Sequence, residues 1–380
     1  MLKPLHPLLF ALQLLLLALG ALAVATAAPS EVPSTGVFIV LSLVVTFLVA
    51  QLRAGASIQL GKYAWILCLL ALVAVLVFDK RIGGVRRWIE IGGFHMQPSE
   101  FAKIALIAYF ASFFARRGAR YALWVPALAL GLTSVLILLA PSTSAAIFTF
   151  FLGLGVMFLA NAPIGRIMSI ALTAGIVSLP LFILYIQQNS YVANRLEGFT
   201  ITLRSDDLCY KPDKSQVEFA RCVIERGGNF GRGPAQVKFE FPADTNDFVA
   251  STVAHSLGLF GITTIFAAFG CILWIGLDLM QRLSEAVHIE SDERNAASIL
   301  CGGGMLLLVA QAMINLAVTV GRFPNTGMTL PFVSDGGSSM VTCAIAIGWM
   351  HTAYALLKKH QKTSVPRPIL RESPMLEAGD

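Results

Sequence analysis

The sequence predicts an all-α polytopic membrane protein with about ten transmembrane helices. Of its 380 residues, 56% are hydrophobic and only 13% are charged, and the mean hydropathy is +0.73. A soluble domain usually carries about 25% charged residues, so the chain is too apolar for that class. Its net charge of +6 is modest, and its basic residues lie in loops. We therefore expect contacts with anionic membrane lipids and no nucleic-acid partner.

Ten apolar runs are long enough to cross a bilayer, because a spanning helix needs about 20 residues. They lie near residues 8–28, 36–52, 61–78, 99–115, 122–140, 143–161, 165–187, 248–278, 296–320 and 338–357. The first run resembles a secretory signal with a small-residue cleavage site at 25–27, but its length also fits a membrane helix, and we expect it to be retained. The run after Phe248 exceeds one span, and Gly258 and Gly261 within it indicate a bend or close helix packing.

Basic residues predict the orientation of these spans. Those of the short loops fall on one side if the N-terminus is inside: Arg53, Lys62, Arg116, Arg117, Arg120, Arg166, Arg282, Lys358, Lys359 and Lys362. The positive-inside rule then places both termini in the cytoplasm and segments 79–97, 188–247 and 321–337 outside. We expect one transmembrane domain over residues 1–361, with a large extracytoplasmic loop at about 188–247 between helices 7 and 8. A flexible cytoplasmic tail would follow over 362–380.

The cysteines divide into two groups. Four lie in apolar runs, where cysteine usually acts as a small buried hydrophobe: Cys68, Cys271, Cys301 and Cys343. Cys209 and Cys222 lie in the large loop, where an extracytoplasmic environment would let them form a disulfide. The sequence contains no Walker-type loop, dinucleotide fingerprint, internal repeat or Cys/His metal cluster, and so predicts no metal site.

Asp247 lies where the longest polar segment enters an apolar helix. A carboxylate at the boundary between water and hydrocarbon can stay ionised and still act on a substrate whose tail lies in lipid. The alternative is that Asp247 is only the N-cap of the following helix. His255 stands about 12 Å further along an intact helix, so we interpret it as a cavity or packing residue.

One outward segment contradicts the charge rule. Residues 79–97 carry four basic residues, among them Arg86 and Arg87, against two acids. Basic residues placed outside favour an anionic ligand such as a phosphate or pyrophosphate, with lipid headgroup contact as the alternative.

Two further segments carry polar residues at membrane depth. In Gln97-Pro-Ser-Glu-Phe-Ala-Lys103, Pro98 suits a helix start, and Glu100 and Lys103 share one helical face. Such a pair marks either a functional site or a structural ion pair between helices. In segment 327–339, a proline and paired glycines predict a broken element that lines a polar cavity.

Hydroxyl and amide groups near that broken element also have two interpretations. Ser338 and Ser339 could cap the final helix or could present their hydroxyls to a phosphate. Gln311 and Asn315 lie one turn apart on the preceding span, and a structural interhelical hydrogen bond is the favoured interpretation.

These motifs together resemble the SEDS family, the shape, elongation, division and sporulation group that includes RodA, FtsW and SpoVE. The resemblance covers nearly the whole chain in order. It rests on Gly84-Val-Arg-Arg-Trp-Ile-Glu-Ile-Gly92, Gln97-Pro-Ser-Glu-Phe-Ala-Lys103, Asp247-Phe248 with Leu257-Gly-Leu-Phe-Gly261, and Thr326-Gly-Met-Thr-Leu-Pro-Phe-Val-Ser334 with Gly336-Gly-Ser-Ser339.

The resemblance implies a peptidoglycan glycosyltransferase of the bacterial plasma (inner) membrane. It would polymerise lipid II, the disaccharide-pentapeptide on undecaprenyl pyrophosphate, at the outer leaflet, beside a class B penicillin-binding protein transpeptidase. The family's essential aspartate corresponds to Asp247, which would act as general base. Substrate or pyrophosphate binding would fall to Arg86, Arg87, Gln97, Glu100, Lys103, Ser334, Ser338 and Ser339. No cofactor is demanded, although a divalent cation could bridge a carboxylate and the pyrophosphate.

The chain departs from the family pattern near the aspartate. His255 and Ser256 stand where paired glutamates are usual, Ala140-Pro-Ser-Thr-Ser144 lacks the usual acid, and Asp335 replaces a tyrosine. These changes indicate a divergent member. Segment 104–118 looks more like FtsW than RodA and favours a role in division over elongation. Two alternative functions are a lipid II flippase or transporter and a weakly active scaffold of the division or elongation machinery.

Overall fold

The computed structural model describes residues 2–77, 88–91, 94–117, 123–188, 216–234 and 246–363. Its helices are α1 (Pro7–Ala27), α2 (Val32–Gln51), α3 (Ala54–Val77), α4 (Pro98–Arg117), α5 (Trp124–Leu139), α6 (Thr143–Leu159), α7 (Ile164–Gln188), α8 (Gln216–Gly227), α9 (Val249–Glu285), α10 (Ser291–Thr319) and α11 (Gly337–Thr363). A short 3-10 turn, Pro29–Glu31, joins α1 to α2. Strands β1 (Ile89–Ile91) and β2 (Phe94–Met96) pair antiparallel before α4.

Each of the ten predicted spans coincides with a helix, which confirms a polytopic all-α membrane protein. Among the described residues, six helices are long and apolar enough to cross a membrane, and three shorter apolar helices accompany them. Helix α4 completes the set although it carries Glu100 and Lys103 within its first two turns. Helix α8 is the additional element and lies in the predicted outer loop.

Helices α4, α10 and α11 form the centre of the bundle, and 14 of the 20 residues of α4 are buried. In the most apolar 18-residue stretch of each helix, 83% of α11 and 67% of α10 is buried, but only 17% of α2 and of α3. The outer helices instead expose rows of large apolar side chains, as lipid-facing helices do. Helix α1 packs into the core through Leu9, Leu12 and Leu16. The first apolar run is therefore an integral part of the bundle.

Helix α9 is broken at Gly258, whose φ of 66° and ψ of −155° suit only glycine. A side chain at Gly261 would come within 2.9 Å of the Val253 side chain and 2.8 Å of the Leu257 Cβ. In a straight helix, Cβ atoms four residues apart are about 5–6 Å apart. The segment 249–257 is therefore folded back against the segment 259–285, which confirms the predicted bend.

The α10 residues that α9 and Asp247 contact show how far the chain folds back. Gly276 packs on Met305, while the main chain of Asp247 bonds Asn315. A straight α9 would carry Asp247 about 44 Å beyond Gly276, yet Asn315 is only about 15 Å beyond Met305 at 1.5 Å per residue. The reversal of the chain at Gly258 accounts for the difference between these two distances and brings Asp247 back alongside α10. His255 therefore does not lie deeper in the membrane than Asp247, as an intact helix would have required.

The turn after α8 fills the break in α9. The Leu259 amide donates to the Gly228 carbonyl at 2.9 Å. The Arg232 and Gly233 amides donate to the carbonyls of His255 and Ser256 at 2.9 and 3.1 Å. A helix break leaves such groups unpaired, and burying them unpaired would be costly. The described part of the outer loop thus completes the hydrogen bonding of a membrane helix.

Candidate active site

Asp247 lies just before α9 and is partly exposed. The N-cap of α9 is Phe248, so the N-cap interpretation of Asp247 is wrong. Phe248 is fully buried in an apolar cluster with Val217 and Ala220 of α8 and Val318 of α10. Asp247 therefore adjoins an apolar cluster while it is itself partly exposed.

The main chain around Asp247 is bonded to two side chains from later in the sequence. The Asn315 side-chain amide donates to the Asp247 carbonyl at 2.8 Å and to the Met328 carbonyl at 2.7 Å. The Ser334 hydroxyl donates to the Asn246 carbonyl at 2.6 Å. Asn315 thus bonds two irregular segments and not another helix, and one of its partners is the predicted catalytic residue.

A buried ion pair occupies the start of α4. The Lys103 ammonium lies 2.7 and 2.8 Å from the two carboxylate oxygens of Glu100, and it donates to the Gln311 amide oxygen at 3.1 Å. It also lies 5.3 Å from the centre of the Phe148 ring, within the range of a cation–π contact. Lys103 is 1% exposed, so each of these partners offsets part of the cost of burying its charge.

Gln311 connects this pair to the broken element before α11. Its amide nitrogen lies 3.1 Å from both the carbonyl and the hydroxyl of Thr329 and 3.5 Å from the Ser339 hydroxyl. The hydroxyls of Thr329 and Ser339 are 2.6 Å apart. The residues between α10 and α11 are irregular, as predicted, and Thr329 contributes to this polar cluster.

Helix α10 holds the two groups of residues side by side. Asn315 bonds the Asp247 main chain, and Gln311, one turn away, bonds Lys103. One helical turn rises about 5.4 Å. The structure therefore places the Asp247 main chain and the Glu100–Lys103 pair against α10 residues one turn apart, although 144 residues separate Lys103 from Asp247 in the chain.

The predicted binding residues Ser334, Ser338 and Ser339 lie at the same cluster, with their hydroxyls bonded inside the protein, and Gln97 joins it through its main-chain N–H. The Ser338 hydroxyl accepts a hydrogen bond from the main-chain N–H of Gln97 at 3.0 Å. The Ser334 hydroxyl accepts one from the main-chain N–H of Leu330 at 2.7 Å. Ser338 and Ser339 lie in the first turn of α11 and not before it. Direct contact of these hydroxyls with a pyrophosphate remains a prediction, and it would require partners to be exchanged.

Two sets of predicted residues fall at the limits of the described structure. Arg86, Arg87 and Cys209 lie outside the described residues. Cys222, on α8, is disulfide-bonded, while Cys68, Cys271, Cys301 and Cys343 are free. The pairing of Cys222 with Cys209 remains a prediction. Within the described part of the chain, no cluster of three or more His, Cys, Asp or Glu side chains could hold a metal.

The residues that depart from the family pattern have distinct surroundings. His255 and Ser256 are 2% exposed, and the His255 Nδ1 and Ser256 hydroxyl lack a hydrogen-bond partner within the described residues. Asp335 lies before α11, near Glu31 and Thr35. Burial raises the pKa of the Asp335 carboxyl, a hydrogen bond with Thr35 opposes that shift, and the neighbouring Glu31 adds to it.

An apolar groove of about 480 Å³ opens between the two arms of α9 and the outer end of α10. Ala250 and Ala254 line it one and two turns after Asp247, and Phe266, Leu316 and Val320 complete its wall. Arg322 is the charged residue in this lining. Hydrocarbon can therefore approach the segment that carries Asp247 from the side.

The amides of Asn315 and Gln311 and the hydroxyl of Thr329 have a larger part in this cluster than the sequence indicates. Their importance comes from what they bond, and the sequence carries only a weak signal of it: two amides one turn apart in an otherwise apolar span.

Comparison with known proteins agrees with this architecture. The FtsW/RodA/SpoVE family model, described as cell cycle protein, matches residues 7–359. A probable peptidoglycan glycosyltransferase FtsW of Halomonas elongata is 31% identical over 325 residues, which cover 83% of this chain and 78% of that protein. The corresponding protein of Saccharophagus degradans is 33% identical over 323 residues, covering 79% of each chain.

Solved structures share the fold. One is a chain of a peptidoglycan synthase complex whose structure concerns the coordination of polymerization and crosslinking. It superposes with a TM-score of 0.73 at 24% identity, and the match covers 93% of this chain and 98% of that one. The rod shape determining protein RodA of Thermus thermophilus superposes with a TM-score of 0.63 at 23% identity, covering 94% and 97%. The ordered motifs, the polytopic helical fold and the match over residues 7–359 lead to one conclusion: the chain belongs to the FtsW/RodA/SpoVE (SEDS) family of multi-pass membrane proteins.

Proposed function

We propose that this protein is a peptidoglycan glycosyltransferase that polymerises lipid II at the outer leaflet of the bacterial plasma membrane, with Asp247 as general base. The observation that carries the proposal is that the Asp247 main chain and the Glu100–Lys103 pair bond α10 residues one turn apart, Asn315 and Gln311. The relatives from Halomonas elongata and Saccharophagus degradans are probable peptidoglycan glycosyltransferases, which supports the same reaction.

In the proposed reaction, a hydroxyl of the acceptor sugar attacks the anomeric carbon of the donor, and the bond to the pyrophosphate breaks. The Asp247 carboxylate takes the proton of that hydroxyl while positive charge develops on the donor ring. The partial exposure of Asp247 leaves it open to an acceptor from the aqueous side. The apolar groove beside α9 supports a substrate that carries a hydrocarbon chain.

The leaving pyrophosphate needs positive charge. Lys103 already donates to both oxygens of Glu100 and to Gln311, so this pair contributes little net charge. We therefore assign the principal anion contact to Arg86 and Arg87, whose guanidinium groups suit forked contacts with phosphate oxygens. Lys103 and Glu100 would order the polar cluster beneath the reacting groups. A divalent cation, if the reaction used one, would be held by Asp247 and would supply further positive charge for the leaving pyrophosphate.

We further propose that the protein acts in cell division, beside a class B penicillin-binding protein that cross-links the new strands. The similarity to a chain of a peptidoglycan synthase complex and the FtsW names of the relatives support this partner and role.

The test supplies labelled lipid II to the purified protein with its partner transpeptidase and resolves the glycan polymer on a gel. Wild type should make polymer, and Asp247→Ala should reduce the rate by about 10²–10⁴-fold without loss of thermal stability. Equal polymer from Asp247→Ala would refute the proposed base, and no polymer from wild type would favour the scaffold. Asp247-independent movement of lipid II across vesicle leaflets would favour the transporter.

A further inference from the structure

The two peptide groups that flank the Asp247 Cα are each held by a buried side chain. The carbonyl of the peptide before Asp247 belongs to Asn246 and accepts from the Ser334 hydroxyl at 2.6 Å. The carbonyl of the peptide after it belongs to Asp247 itself and accepts from the Asn315 amide at 2.8 Å.

Fixing both carbonyls has a specific geometric consequence. A peptide unit is planar, so its carbonyl direction sets the orientation of the whole plane. The orientations of the two planes around one Cα determine φ and ψ of that residue. They therefore also determine the direction in which the Asp247 side chain leaves the main chain.

The two donors are themselves fixed. Asn315 is 1% exposed, and its amide nitrogen also donates to the Met328 carbonyl at 2.7 Å. The amide oxygen of Asn315 has no partner within the described residues, so only its donor end is used. Ser334 is 3% exposed and accepts from the Leu330 amide at 2.7 Å while it donates to Asn246.

Both donors come from α10 and from the broken element that follows it. The helix α9 that Asp247 precedes is folded back at Gly258, so its own axis does not anchor its first residues against the bundle centre. The Asn315 and Ser334 contacts supply that anchor from rigid, buried positions.

We infer that Asn315 and Ser334 are positioning residues that set the backbone conformation, and hence the carboxylate direction, of Asp247. This inference rests on the proposed function of Asp247 as base. It gives Ser334 a role that differs from the pyrophosphate contact suggested by the sequence, because its hydroxyl proton is committed to Asn246.

The first measurement is steady-state polymerisation by Ser334→Ala, Ser334→Thr and Asn315→Leu. Ser334→Ala and Asn315→Leu should lower kcat by roughly 10- to 100-fold with little change in KM, because a misplacement of about 1 Å costs about 10²-fold. Ser334→Thr keeps the hydroxyl and should recover most of the rate. A rise in KM with kcat intact would instead indicate substrate contact and would overturn the positioning role.

A matched control removes a buried hydroxyl elsewhere. Thr352 on α11 donates to the carbonyls of Val49 and Gly348 at 3.0 Å, at the opposite end of the bundle. Thr352→Val should leave kcat unchanged. An equal loss of kcat in this variant would mean that general loosening of the fold, and not positioning, explains the effects.

The second measurement needs no catalysis. Asp247→Cys is labelled with a thiol reagent, and the labelling rate at position 247 is read by peptide mass spectrometry. Adding Ser334→Ala or Asn315→Leu should change that rate several-fold, and Ser334→Thr should restore it. An unchanged rate in both double variants would refute the inference. If wild type makes no polymer but the rates change as expected, the proposed function fails while the positioning stands.

Discussion

The ammonium of Lys103 lies 3.1 Å from the amide oxygen of Gln311, which links α4 to α10 at the centre of the bundle. The same ammonium holds both carboxylate oxygens of Glu100. A motif from one part of the sequence and an amide from another thus form one buried polar unit.

Removing one charge of the Glu100–Lys103 pair should destabilise the protein more than removing both charges. Lys103→Met would leave Glu100 charged without its partner, and breaking a buried pair in this way costs about 3–5 kcal/mol. The expected result is a lower thermal unfolding temperature in detergent. The double variant Lys103→Met with Glu100→Gln should recover a large part of the loss. A double variant as unstable as the single one would show that the charge pairing is not the cause.

Gly258→Ala should destabilise the protein and reduce polymer formation. A residue other than glycine in this backbone region costs about 1–3 kcal/mol, and the new Cβ would meet Asn229 main-chain atoms at 2.5 Å. The fold-back that places Asp247 would be disturbed at the same time.

Gly270→Ala is the matched control for that variant, because it lies in the same helix with nothing within 4 Å of the added Cβ. Alanine in a helix interior is favoured over glycine by about 1 kcal/mol, so this variant should be as stable as wild type or more so. Equal behaviour of the two variants would argue against a special role for the break.

Asp335→Asn should stabilise the protein near neutral pH. Burial and Glu31 raise the folded-state pKa of this carboxyl, so its favourable contribution exists below its ordinary pKa and is lost as the pH rises through the folded value. The gain of the variant over wild type should therefore grow with pH and disappear in acid. Thermal unfolding from about pH 4 to about pH 8 measures it. A gain that is constant over this range would exclude ionisation of Asp335 as its origin.

Peptide mapping without reductant should find Cys222 joined to Cys209. Cys222→Ser should then expose Cys209 to thiol labelling and lower the unfolding temperature, since a lost disulfide typically costs about 2–5 kcal/mol. Recovery of Cys222 in a peptide with any other cysteine would show that the predicted pairing is wrong.

The sequence was sufficient for much of this picture because hydrophobicity and charge act locally. Apolar runs of about 20 residues predicted every span, since a helix in lipid must satisfy its own backbone. Glu100 and Lys103 could be assigned to one helical face from their spacing alone. Gly258 indicated a bend, and Pro331 with Gly336 and Gly337 indicated an irregular element.

The direction of the bend and the neighbours of Asp247 could not be obtained in that way. A glycine permits a reversal without specifying it, and only the packing of Gly261 on Val253 and the inserted turn at Gly228 decided that α9 folds back. An intact helix would place His255 about 12 Å beyond Asp247 in depth, and the reversal at Gly258 excludes that position.

The sequence by itself determined the membrane class, the ten spans, the family motifs and the choice of Asp247 as the candidate acid. Only the tertiary structure decided that Asn315 and Ser334 hold the Asp247 main chain and that Gln311 sets Lys103 one turn away. The physical reason is that spans are specified by the local exchange of water for lipid. Hydrogen bonds between residues far apart in the chain depend on how the completed helices pack.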